Sequence, residues 1–151
     1  RGMDAFKALF PGHEYTFPED QASHVDLLQG ETRLQFKTVG EASADSAGFV
    51  CILTTSAGIV EGKRSKKPYP VGAFDYLVAV AWVNDTAHFW RVPAAELEAR
   101  GYFCSDSQKG KLSLMLHAPT IGVQPNPNAR KKANTWTAKY FDVHVSAASV
   151  V

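Results

Sequence analysis

Val25-Asp26-Leu27-Leu28-Gln29-Gly30-Glu31-Thr32-Arg33-Leu34-Gln35-Phe36-Lys37 is the stretch that decides the fold. Two alternating runs flank a glycine, the pattern of a β-hairpin. A two-residue turn at Gln29-Gly30 sets Leu28 against Glu31 and Asp26 against Arg33. Side chains alternate along each strand, so one face carries Asp26, Arg33, Gln35 and Lys37. The other face carries Val25, Leu27, Leu34 and Phe36. A slip of one residue mixes the two sets and turns charge towards the core, so the pattern selects its own register.

The polar face has a definite chemistry. The Asp26 carboxylate and the Gln35 amide oxygen are hard oxygen ligands, suited to Mg²⁺ and, as the alternative, Mn²⁺. Lys37, two residues beyond Gln35, points the same way and is placed to orient a water or stabilise phosphoryl charge. The competing reading is a solvated hairpin face on which Asp26 pairs with Arg33 across the strands.

Asp26 followed by Gln35-Phe36-Lys37 on the next strand resembles the Asp…(Glu/Asp)-x-Lys core of the PD-(D/E)XK nucleases. Gln in place of the second acid is similar to the variant in an intron-encoded homing endonuclease group of that superfamily. Phe74-Asp75-Tyr76-Leu77-Val78-Ala79-Val80, and Trp90-Arg91-Val92-Pro93 with the short helix after it, resemble the back half of that group. The resemblance runs from about Met3 to Gly101. It implies an α/β fold with a restriction-endonuclease-like mixed β-sheet core flanked by helices. It also implies hydrolysis of DNA phosphodiester bonds with Mg²⁺, with Asp26 and Gln35 as metal ligands and Lys37 as a catalytic residue. Many nucleases of this kind act as symmetric dimers, because two strands need two sites, and the resemblance leaves a homodimer open. The family adds an acid from the first helix, and Asp4 is the acid available there. Gln for the second acid removes a charge that helps hold metal, so an inactive DNA-binding module stays open beside the endonuclease. A structural or interaction domain is the third reading.

The rest of the chain fits one α/β domain spanning residues 1–151. Met3, Phe6, Leu9 and Phe10 have helical spacing, and Pro11-Gly12 ends the helix. Phe49 to Thr55 is rich in β-branched residues and reads as a strand. Ser56 to Gly72 is polar and glycine-bounded and reads as a long mobile loop. It carries Lys63, Arg64, Lys66 and Lys67, placed to contact DNA phosphates. Phe74 to Val83 is almost continuously apolar, as in a strand covered on both faces. Asp75 at its start reads as a capping or pairing residue. His88 to Val92 returns as a strand, Pro93 opens a helix that Gly101 caps, and Leu112 to Leu116 is a short strand. Arg130, Lys131 and Lys132, followed by Trp136, form a second basic stretch with the same reading. Trp136 to Val145 fits helix and strand equally. His24 is two residues before Asp26 and reads as structural, and Glu19-Asp20 after Pro18 lacks the strand partner that Asp26 has.

Composition bounds the function class. The 151 residues carry a net charge of +1, so any attraction to nucleic acid comes from the placement of charge rather than its total. Cys51 and Cys104 form neither a zinc knuckle nor the dense framework of a disulfide-stapled secreted domain. They read as reduced thiols of an intracellular protein, cytoplasmic or nuclear. No apolar run reaches the ~20 residues that span a bilayer, so no membrane partner is expected. The opening Arg1-Gly2-Met3 reads as that of a domain excised from a longer protein.

Overall fold

The structure is a computed structural model and describes residues 1–20, 24–39, 49–83, 85–117 and 135–146. Strand β7, Tyr76–Val83, is the middle of the molecule. Its apolar run alternates to both sides. Leu77, Ala79 and Ala81 join one buried cluster, while Val78 and Val80 join another. A strand covered on both faces is what so continuous an apolar run requires.

β3, Thr32–Val39, lies parallel to β7 on one side, and β8, Thr86–Pro93, lies antiparallel on the other. β2, Leu27–Gln29, and β1, Tyr15–Thr16, extend the sheet beyond β3, and β10, Phe141–Ser146, extends it beyond β8. The six strands run in the order β1-β2-β3-β7-β8-β10. The expected mixed α/β sheet is therefore present, with β3 and β7 as its parallel pair.

Helix α1, Gly2–Leu9, covers one face. Ala5 and Phe6 are buried there against Leu27, Leu34, Val78, Val80 and Phe89, with Phe36 packed at the margin. The opposite face carries the larger cluster. There Trp90, Leu77 and Val92 meet Phe49 and Cys51 of β4, Phe49–Ile52, and Leu114 and Leu116 of β9, Ser113–Leu116. β4 and β9 pair as a second, two-stranded sheet. Helix α2, Ala94–Ala99, follows Pro93 as expected and buries Leu97 in the same cluster, with Gly101 in the left-handed region just after it. Fully burying side chains of this size stabilises by about 1.5–3 kcal/mol each.

Three expectations change. First, the hairpin turn falls one residue later, at Gly30-Glu31, so that Gln29 pairs with Thr32, Leu28 with Arg33 and Leu27 with Leu34. Gly30 takes φ +60° at the first turn position, where a glycine is what a type II′ turn uses. The turn moves by one residue but the pairing moves by two, so the alternation of faces survives. Asp26 then stands opposite Gln35 rather than Arg33. Val25 is the exception, because the chain bends before β2 and Val25 packs on the β4–β9 side instead of beside Leu27.

Second, the segment expected as a long mobile loop is mostly a β-ribbon. β5, Thr54–Val60, and β6, Lys63–Pro68, pair antiparallel about a Glu61-Gly62 turn with both φ values positive, 52° and 76°. Third, the ambiguous end of the chain is both kinds of element in succession: a 3₁₀ helix, η1, Thr135–Tyr140, runs directly into β10. The Arg130-Lys131-Lys132 stretch lies outside the described residues. No helix among them is long and apolar enough to cross a membrane.

Candidate nucleic-acid interface and hydrolytic site

Along β3 the odd-numbered residues Arg33, Gln35, Lys37 and Val39 face the β4–β9 side, because Leu34 and Phe36 pack under α1. The end of this face near Val39 is core, and the end near the hairpin is polar. At the polar centre Gln35 is only 7% exposed, and its Nε2 donates to Asp26 Oδ2 at 2.8 Å. The same carboxylate oxygen accepts the Phe36 backbone N–H at 2.9 Å. A second Nε2 hydrogen bond goes to the Phe36 carbonyl at 3.2 Å. A buried polar pair satisfied in this way holds a fixed geometry.

Lys37 follows on the same face. Its Nζ donates to the Thr54 carbonyl at 3.2 Å and lies 5.2 Å from the centre of the Tyr69 ring. Tyr69 is buried, and its ring also packs on those of His24 and Phe74, each at 5.4 Å. His24 Nδ1 is also 3.3 Å from the Thr55 hydroxyl. Tyr69 therefore joins the lysine to the histidine, and nothing in its sequence surroundings marks it for that role. His24 approaches the site through Tyr69 rather than through Asp26.

Two cavities open near the ends of this face, and neither is lined by Asp26 or Gln35. One, of about 600 Å³, lies at the Arg33 end and is lined by His24, Leu28, Arg33, Glu19 and Asp20 among others. The second, of about 380 Å³, lies at the Lys37 end between Thr54, Thr55, Arg64 and Lys66.

Arg33 pairs with Asp75 instead of Asp26. Its Nε reaches Asp75 Oδ2 at 3.3 Å, its terminal NH2 reaches Oδ1 at 3.1 Å, and its backbone N–H donates to Oδ2 at 2.8 Å. The Asp75 backbone in turn receives the Ala94 N–H that starts α2. Asp75 is therefore a pairing residue, as its position in the sequence implies, and Asp26 is released from the cross-strand ion pair. The hydrogen bonds from the Arg33 side chain hold the Asp75 carboxyl below its ordinary value of 3.8. A carboxyl lowered by folding adds stability above its unfolded pKa, and that contribution is lost as pH falls through the folded one. Asp75→Asn should therefore lower Tm at neutral pH and leave it unchanged well below pH 3.8. The pair is partly exposed, so the neutral-pH cost is at most ~1 kcal/mol. A Tm difference that persisted unchanged in strong acid would assign the loss to packing.

Asp4 stands exposed on α1, which packs on the other face of the sheet, and it is not brought to Asp26. Among the described residues no three His, Cys, Asp or Glu side chains gather to hold a metal ion. The groups that do gather are the Asp26 carboxylate, the Gln35 amide and the Phe36 carbonyl. Gln35 now turns its amide nitrogen towards the other two, the reverse of what a metal ligand presents. Rotation of the terminal amide would exchange Oε1 for Nε2 and offer a third hard oxygen, the donor type that Mg²⁺ or Mn²⁺ takes. Cys51 offers no competing chemistry. Burial pushes its thiol up to about 12, against the pull of the nearby Lys37 charge, so it stays protonated.

Lys63, Arg64, Lys66 and Lys67 lie exposed along β6. Arg64 and Lys66 share the cavity with Lys37, which brings the basic segment to the polar face.

The sequence matches no protein-family model and no curated protein. Solved structures share its fold, two of them as follows. The structure of MepB superposes with a TM-score of 0.62 at 20% identity, covering 94% of this chain and 95% of that one. The bacterial homing endonuclease I-Ssp6803I superposes with a TM-score of 0.54 at 18% identity, covering 89% of this chain and 84% of that one. At such identities the likeness is one of fold.

Proposed function

We propose that the chain is a metal-dependent endonuclease of the PD-(D/E)XK type that hydrolyses phosphodiester bonds in DNA. The observation that carries the reading is the hydrogen bond between Asp26, just before β2, and Gln35 on the neighbouring β3, with Lys37 next along that face. The fold shared with a homing endonuclease supports it. Asp26, Gln35 and the Phe36 carbonyl would hold Mg²⁺, or Mn²⁺ in its place. A metal so held lowers the pKa of a bound water and polarises the scissile phosphate.

The chain's own residues do the rest. Lys37 moves its ammonium from the Thr54 carbonyl to the phosphate or the attacking water, where it offsets the charge that develops. The exposed cations of β6 hold the DNA beside Lys37, with Arg64 and Lys66 lining the cavity it shares. Phe36 N–H fixes the Asp26 carboxylate, so that its second oxygen keeps a set direction. Asp4 has no part in this scheme. Cutting both strands takes two copies of the site, so a symmetric dimer is the expected active form.

One observation favours a second reading, a DNA-binding module that does not cut. Gln35 already satisfies Asp26 through its amide nitrogen, and a chain that never binds metal has no need of more.

Incubation with supercoiled plasmid separates the two. The endonuclease converts it to nicked and linear forms with Mg²⁺ and leaves it intact in EDTA. Salt-dependent binding without a cut in either condition marks the binding module, and neither binding nor cutting removes both readings.

A further inference from the structure

The β5–β6 ribbon has no core of its own. It packs chiefly on itself, and a two-stranded hairpin alone is only marginally stable in water. Ile59 and Val60 near its tip are 74% and 57% exposed. From Thr54 to Pro68 it carries four cations and one acid, Glu61. At ~3.3 Å per residue the ribbon reaches roughly 20 Å from its base. Its two faces are alike in kind, each with one aliphatic side chain and two cations, and one of them holds the arginine. The pairs Ile59–Arg64 and Ser56–Lys66 mark one side, and Val60–Lys63 and Thr55–Lys67 mark the other. The first pair of cations, Arg64 and Lys66, lines the cavity that Lys37 shares.

We infer that this ribbon enters the major groove of duplex DNA, with Ile59, Arg64 and Lys66 towards the base edges and Lys63 and Lys67 held near phosphates. The inference rests on the nuclease reading for its choice of DNA and goes beyond it in assigning sequence readout. A B-form major groove, ~12 Å wide and ~8.5 Å deep, admits a two-stranded ribbon. Arg donates two hydrogen bonds to guanine O6 and N7, Lys serves the same acceptors, and an aliphatic side chain packs on a thymine methyl. Those are the side-chain types on the cavity-side face. The exposed aliphatic pair and the outer edges of the ribbon are then covered in the complex rather than left in water. A-form RNA has a deep, narrow major groove that excludes such a ribbon, so the assignment is to DNA.

Selection from a randomised duplex pool in EDTA reads this without any need for cleavage. The wild-type chain is expected to enrich a common sequence. Arg64→Ala and Lys66→Ala should each lose about tenfold discrimination at one or two positions of it. Lys63→Gln and Lys67→Gln should weaken binding to every duplex alike, and each should reduce the log–log salt slope by about 0.9, the share of one neutralised phosphate. All four residues are exposed, and unchanged melting of each variant shows that folding is not the cause. Equal, sequence-independent losses from both faces, equal affinity for an RNA duplex, or no enrichment overturns the assignment. Site selection by a chain that never cuts plasmid leaves the ribbon's role standing and removes hydrolysis. Plasmid cutting with no enriched site removes the ribbon's role alone.

Discussion

Replacing Lys37 with alanine is expected to lower the rate of DNA cleavage by at least ~100-fold, the loss that follows removal of one charge-stabilising donor from a hydrolytic site. The fold should hardly register the change. Lys37 is only half-buried, and the substitution removes one hydrogen bond to Thr54 and the approach to the Tyr69 ring. Together these are worth about 1 kcal/mol, or a Tm shift of about 2–4 °C in a domain of this size. DNA binding in EDTA should fall by no more than one neutralised phosphate predicts. Single-turnover cleavage beside a melting curve separates the two effects. Cleavage within twofold of wild type takes Lys37 out of the chemistry, and a collapse in Tm makes it a structural residue.

The second large effect belongs to Gln35, whose two variants move in opposite directions. Gln35→Glu sets a second carboxylate where Nε2 now stands, 2.8 Å from Asp26 Oδ2. Two carboxylates at that distance oppose each other's ionisation unless a cation lies between them. The variant should therefore melt below wild type in EDTA and gain more from Mg²⁺ than wild type does. Gln35→Leu leaves Asp26 with the Phe36 N–H, so folding should cost about 1–3 kcal/mol for the hydrogen bond removed. Its Mg²⁺-induced rise in Tm should vanish. Melting of the three proteins across a Mg²⁺ series checks both. Equal rises in all three mean that the ion binds elsewhere.

Much of this site was legible because alternation is strict over β3. Leu34 and Phe36 commit one face to the core, so Arg33, Gln35 and Lys37 have to share the other. That inference survived an error in the turn, since moving the turn by one residue shifts the pairing by two and keeps every face. The partner of Arg33 was not legible. Asp75 is distant in sequence and meets Arg33 only because β3 and β7 run parallel and side by side. Tyr69 was missed for the same reason: its neighbours Lys37 and His24 come from two other segments of the chain.

The β5–β6 ribbon was misread because sequence patterns report burial. Lys63 to Lys67 pack against no core, so no period-2 apolar signal exists to find, and Gly58, Gly62 and Pro68 look like loop punctuation. The turn itself, Glu61-Gly62 with both residues left-handed, belongs to the kind favoured in tight hairpins. Asp4 illustrates the opposite failure. An acid on the first helix satisfies a motif, yet Ala5 and Phe6 fix which side of the sheet that helix covers, and Asp4 goes with it.

The central claim is that the carboxylate of Asp26 holds the metal of a DNA-cutting site, and Asp26→Asn tests it most directly. Asparagine keeps an oxygen to accept the Phe36 N–H and removes the charge that a hard cation needs. Wild type and variant should be compared on supercoiled plasmid with Mg²⁺, at matched concentration and with matched melting curves in EDTA. The expected result is nicked and linear DNA from wild type and intact supercoils from Asp26→Asn. Equal cutting by both proteins, or no cutting by the wild type, contradicts the claim.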